Sequence, residues 1–183
     1  MHVLAEAVNL SLWQSFYVIV GSSGGALVGL QFVVIALLAS THRRADVASV
    51  NAFGTPNVVH FSMALIISAV MNAPWPSWSA LSAALGVCGL LGLGYSVTVF
   101  HRARHQTAYK PVAEDWLWYA ILPWCIHAAL TVAELLVSIA GQVGLFMIAG
   151  AALGLLLIGI RNAWDTVTHI VVSGQPQEPK TPE

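Results

Sequence analysis

The stretch GSSGGALVG, Gly21–Gly29, lies in the middle of an apolar run that extends from Leu12 to Ala39. Gly21, Gly25 and Gly29 are four residues apart, so on a helix they form a single row. Inside a bilayer the hydrophobic effect does not drive helices together, and small residues instead allow two backbones to approach closely. The stretch therefore predicts a membrane-spanning helix that packs on a neighbour through its glycine face, and not a flexible loop.

The composition supports a membrane protein. The chain has 183 residues, of which 57% are hydrophobic and 8% are charged, whereas soluble domains carry about 25% charged residues. A formal net charge of −1 gives no basic surface for nucleic acid. The lipid bilayer is therefore the expected partner, and nucleic acid is not.

A spanning helix needs roughly 20 predominantly apolar residues. Five runs approach or exceed that length, and they predict an all-α, polytopic protein with five transmembrane helices. The predicted spans are residues 12–39, 56–73, 79–100, 117–140 and 143–160. Together they form one transmembrane domain over residues 1–172, followed by a polar, proline-rich tail, 173–183, which we expect to be disordered and cytoplasmic.

The basic residues predict the orientation. With five spans, every Lys and Arg falls on the same side of the membrane. They are Arg43, Arg44, Arg102, Arg104, Lys110, Arg161 and Lys180. Cytoplasmic loops are enriched in Lys and Arg, so we expect the N-terminus outside and the C-terminus in the cytoplasm.

The glycine row of the first span has possible partners in the same chain. The third span carries Gly86 and Gly89, and the fifth carries Gly150 and Gly154. The pattern leaves open whether these faces pack within one chain or between subunits. A homo-oligomer is therefore one expectation, and contact with another membrane protein is a second.

The first span also resembles a known family. Trp13 and Phe16, followed by the run GALVGLQFVV from Gly25 to Val34, are similar to the first helix of a bacterial membrane family labelled a modulator of a membrane-anchored AAA protease. The resemblance covers one helix of five. It implies a multi-pass protein of the bacterial inner membrane and assigns no site residue.

Polar residues form a row along the fourth predicted span. His127, Thr131, Glu134 and Ser138 follow one another at intervals of four, three and four residues, so they share one face of a helix. Ionisable groups at membrane depth are costly and usually face a protein interior or a water-filled cavity. The row is interpreted either as an ion or proton path or as a polar packing surface near the outer interface.

Two further polar residues begin the second span. Asn57 and His60 are three residues apart and predict a polar cluster at the cytoplasmic mouth, either a vestibule or a hydrogen-bond network. Histidines from facing helices can also hold a b-type haem. His60 with His101 has matched depth for this role, whereas counting residues at 1.5 Å each gives His60 and His127 an offset of about 9 Å.

The sequence contains none of the hydrolase, kinase or zinc motifs, and no metal site or enzyme activity is expected. The leading hypothesis is a small oligomeric channel for ions or protons, lined by the polar face of the fourth helix. The alternative is a non-conducting scaffold or regulator of another membrane protein. A haem-binding membrane subunit is the third possibility, and otherwise no cofactor is expected.

Overall fold

The structure is a computed structural model that describes residues 10–40, 55–105 and 112–173. The described residues form helices joined by short turns and contain no strand, which confirms the all-α prediction. Arg43, Arg44, Lys110 and the predicted tail from residue 174 onward lie outside the described residues.

Five long helices make up the fold. We label them α1 (Gln14–Ser40), α2 (Thr55–Asn72), α3 (Trp78–His105), α4 (Ala113–Trp116, Leu117–Ile121 and Leu122–Ala140 in continuous succession) and α5 (Gln142–Ser173). A 3-10 turn, Leu10–Trp13, precedes α1. The middle part of α4, Leu117–Ile121, is a π-helical turn.

Four segments of the described chain are long and apolar enough to cross a membrane, as a multi-pass membrane protein requires. They are Leu10–Leu37, Trp78–Arg104, Ala113–Val137 and Gln142–Thr168. The helix α2, which we predicted as a fifth span, is not among them. It has 18 residues and includes Asn57, His60 and Asn72, which lower its hydropathy.

Two helices extend well beyond the predicted spans. The helix α3 continues to His105 and α5 continues to Ser173. The predictions ended where charged residues begin, because a bilayer excludes charge. The backbone hydrogen bonds of a helix do not depend on that boundary, so both helices continue past it.

The helices run alternately up and down. Four of them, α2 to α5, occupy the corners of a bundle in which α2 and α4 are diagonally opposite, while α1 packs on the outside of α2. We call the end where α2 begins the Thr55 end and the opposite end the Asn72 end. Large apolar side chains fill the interior, including Ile67, Leu85, Leu130 and Ile148.

The glycine face of α1 packs on α2, and not on α3 as the sequence had suggested. A Cβ atom added to Gly21 would lie 2.8 Å from Cβ of Ser68, and one added to Gly24 would lie 2.8 Å from the backbone oxygen of Phe61. Both distances are shorter than van der Waals contact. The close approach therefore uses the spacing of three, Gly21 to Gly24, where the predicted row had a spacing of four.

The other predicted packing glycines divide into two groups. A Cβ atom at Gly154 would lie 2.8 Å from Cδ1 of Ile126 in α4, so this glycine does admit a neighbouring helix. Gly25 has one loose neighbour at 3.9 Å, and a Cβ atom at Gly29 or Gly150 would meet nothing within 4 Å. Within the chain, Gly29 and Gly150 therefore do not make the close contact that we predicted.

Candidate functional site

The polar row of α4 faces a row of glycines on α3. At each of three positions the missing glycine side chain leaves the space that a polar side chain of α4 occupies. From the Asn72 end to the Thr55 end, the pairs are Gly86 with Glu134, Gly89 with Thr131, and Gly92 with His127. A Cβ atom at any of the three glycines would overlap the polar side chain opposite.

This arrangement places the row between two helices of the same chain. His127 is fully buried, and Thr131 and Glu134 are half-buried. The side chain of Ser138, the fourth predicted member, lies outside the described part of the chain. A path along the row would therefore run inside one bundle, since α3 covers the face that an oligomer would need for a shared axis.

Local backbone structure sets the orientation of His127. Pro123 has no N–H and cannot bond to the carbonyl one turn earlier, and the preceding turn is π-helical, with the N–H of Leu122 donating to the carbonyl of Leu117. One turn later, Nδ1 of His127 lies 2.7 Å from the carbonyl oxygen of Pro123. A carbonyl only accepts, so neutral His127 carries its proton on Nδ1 and keeps a lone pair on Nε2.

Other hydroxyl groups support the same imidazole. Ser96 on α3 donates to the carbonyl of Gly92 at 2.9 Å, and its Oγ lies 3.4 Å from Nδ1 of His127. Thr131 donates to the backbone carbonyl of His127 at 2.9 Å. These bonds hold the ring between α3 and α4, while its Nε2 has no hydrogen-bond partner.

His60 and His127 face each other across the bundle. Their ring centroids are 6.4 Å apart, and the ring planes are tilted by 36°. The offset of about 9 Å that we derived from the sequence is therefore wrong. It assumed that α2 and α4 begin at the same depth, but α4 begins at Ala113, earlier than predicted, and α2 is a shorter helix.

Polar residues from four helices are buried in this region of the bundle. They are Asn57 and His60 from α2, Ser96 from α3, His127 from α4 and Asn162 from α5. The sequence had singled out three of the five. Ser96 was missed because serine is common in membrane helices, and Asn162 because it lies beyond the apolar run of the fifth span.

Several atoms of this group lack a hydrogen-bond partner. They are both ring nitrogens of His60, Nε2 of His127, both amide atoms of Asn57 and Oδ1 of Asn162. An unpaired buried polar atom costs about 1–3 kcal/mol, and native interiors contain few of them. The His60–His127 pair is therefore the position where the bundle interior is best prepared to bind a polar or metal-containing ligand.

The Thr55 end of the bundle is closed by bonds between α4 and α5. Nδ2 of Asn162 donates to the carbonyl of Trp118, and the hydroxyl of Tyr119 donates to the carbonyl of Asn162, both at 3.3 Å. The guanidinium group of Arg161 pairs with Glu114 and lies 4.9 Å from the Trp118 ring centroid. These contacts fix the depth of α5 relative to α4.

The remaining histidine that we considered for haem does not join the pair. His101 is exposed on α3, near the end of that helix, whereas His60 is buried in the interior. Among the described residues, no group of three or more His, Cys, Asp or Glu side chains could hold a metal ion. The structure thus brings together His60 and His127, the two histidines that the sequence-based depths had separated.

Comparisons with protein-family models, with curated proteins and with solved structures found no match to this chain. The resemblance of the first helix to a protease-modulator family consequently remains a prediction. Function must be inferred from the site itself.

Proposed function

We propose that this membrane protein passes protons or small cations through the interior of its own helix bundle. The observation that carries the proposal is the row of Glu134, Thr131 and His127, which lies between α3 and α4 and ends at the His60–His127 pair. Ionisable residues within membrane segments are typical of proton relays and ion paths. The row extends from the Asn72 end toward the middle of the bundle, and Asn57 lies one turn beyond His60 toward the Thr55 end.

The experiment is proton flux into liposomes that contain the purified protein and a pH-sensitive dye. We expect flux above that of empty liposomes for the wild type and a fall to that background for Glu134→Gln, which keeps the side-chain shape and removes the charge. Glu114→Gln is the matched control. It makes the same change at an exposed ion pair, which contributes about 0–1 kcal/mol, and it should conduct like the wild type.

Background flux in the wild type, or equal flux in wild type and Glu134→Gln, would refute this proposal. The first result would favour the second candidate function, a non-conducting scaffold or regulator of another membrane protein. The placement of α1 supports that alternative. This helix packs mainly on α2, and Gly29 on its outer part has no close neighbour within the chain, so a second subunit or another membrane protein has access to it.

The topology forms part of the proposal. We infer five crossings, with α2 as the central one, an external N-terminus and a cytoplasmic C-terminus in a bacterial inner membrane. Nine residues of α2 are buried, so most of this helix is shielded from lipid by α1, α3 and α5. A shielded helix can include Asn57 and His60 because its polar groups do not face hydrocarbon.

A further inference from the structure

We propose that His60 and His127 are the two axial ligands of a b-type haem held between α2 and α4. The inference does not rest on the proposed ion path, because it concerns the pair itself and not the row that leads to it. Cofactor sites in helix bundles are built from side chains on facing helices. The two histidines meet this requirement, since α2 and α4 lie on one diagonal of the bundle.

The separation of the rings fits one metal between them. Metal–imidazole bonds are about 2 Å long, and a ring centroid lies roughly 1 Å beyond its nitrogen, so imidazoles bound on opposite sides of one metal have centroids about 6 Å apart. The observed separation is 6.4 Å. His60 is 1% exposed and His127 is 0% exposed, so water does not compete for this position from outside.

The hydrogen bonds around the pair fit ligation. Histidines that bind metals usually donate their second ring N–H to a carboxylate, a backbone carbonyl or water, which orients the ring and makes the ligating nitrogen more basic. Nδ1 of His127 donates to the carbonyl of Pro123 at 2.7 Å, and Nε2 has no partner. Neither ring nitrogen of His60 has a partner, so either one is free to bind a metal.

The chemistry of the ligand set favours iron porphyrin over a bare metal ion. No third His, Cys or carboxylate of the described residues completes a site around the pair. A divalent ion with two neutral ligands would leave its charge uncompensated in a low-dielectric interior, which is very costly. A porphyrin supplies four further nitrogen ligands and two negative charges, and haem iron then needs only the two imidazoles.

The sequence and the neighbouring side chains agree with a non-covalent haem. The chain has no C-x-x-C-H motif of the type that attaches c-type haem. Asn57 lies one turn from His60 toward the Thr55 end, and its amide atoms are buried without partners. An amide at that position is suited to donate a hydrogen bond to a propionate carboxylate, which is a strong acceptor.

The test begins with the full-length wild-type protein in mild detergent. The protein is purified from cells supplied with a haem precursor, and its haem-free fraction is titrated with hemin. We expect about one haem per chain, with the absorption and electron paramagnetic resonance spectra of six-coordinate, low-spin iron, as two imidazole ligands produce. Failure of the wild type to bind hemin, or binding with a high-spin spectrum, would overturn the inference without variants that depend on correct folding.

The variants then assign the ligands. His60→Ala and His127→Ala should each lose the low-spin spectrum, and added imidazole should restore it by entering the space left by the side chain. His101→Ala is the matched control, because this histidine is exposed near the end of α3, and it should keep the wild-type spectrum. Low-spin haem that persists in either of the first two variants would show that other residues bind the iron.

The outcomes of the haem and flux experiments are independent. Haem binding by a wild type that conducts at background level would refute the ion path and retain the haem site. Flux that depends on Glu134 in a protein unable to bind hemin would have the opposite meaning.

Discussion

Replacing Gly92 by alanine tests the arrangement on which the site depends. A Cβ atom at this position would overlap the imidazole ring of His127, and the ring is held by its 2.7 Å bond to the carbonyl of Pro123. We expect Gly92→Ala to lower the free energy of unfolding, because either the ring must rotate out of its site or α3 and α4 must separate.

The magnitude follows from three effects. Overpacking of a well-packed interior costs about 1–3 kcal/mol, and loss of the hydrogen bond to Pro123 adds about 0.5–1.5 kcal/mol. The higher helix propensity of alanine returns about 1 kcal/mol. The net expectation is a destabilisation of about 1–3 kcal/mol for Gly92→Ala, since the overpacking term is the largest of the three.

The assay is equilibrium unfolding in mixed micelles, with helicity followed by circular dichroism as a denaturing detergent is added. Gly94→Ala is the matched control on the same helix, because a Cβ atom there would meet nothing within 4 Å. This control keeps the gain in helix propensity without the overlap. It should therefore leave the free energy of unfolding unchanged or raise it slightly.

A double-mutant cycle identifies the cause. In a His127→Ala background the ring is absent, so Gly92→Ala should no longer destabilise the protein, and the coupling between the two positions should account for most of the single-variant effect. If Gly92→Ala costs the same with and without the ring, the opposition of Gly92 and His127 is wrong. The register of α3 against α4 would then have to be redrawn.

Two further predictions concern the packing and the topology. Gly24→Ala should destabilise the protein by about 1–3 kcal/mol, because its Cβ atom would lie 2.8 Å from the backbone oxygen of Phe61, whereas Gly29→Ala should be neutral; equal unfolding curves for the two variants would contradict the contact of α1 with α2. Alkaline phosphatase, which is active outside the cytoplasm, should be active when fused after Ser77 and inactive when fused after Arg104, and inactivity at Ser77 would argue against a crossing by α2.

Much of the fold follows from local patterns. The long apolar runs predicted all five helices, since their length and composition depend on the residues themselves and on the thickness of a bilayer. The row of His127, Thr131 and Glu134 was also visible, because residues three and four apart share one face of a helix. Helix ends were predicted less well, as α5 shows, because a helix continues past the point where the bilayer ends.

The sequence by itself thus determined that the chain is helical and apolar enough for a membrane, and which polar residues share a face of α4. Only the tertiary structure decided that this face meets the glycines of α3, that Gly24 makes the close approach of α1 to α2, and that His60 lies opposite His127. The physical reason is that these features depend on the relative depth and rotation of separate helices. Those quantities are set by packing between side chains distant in the sequence, and no single helix encodes them.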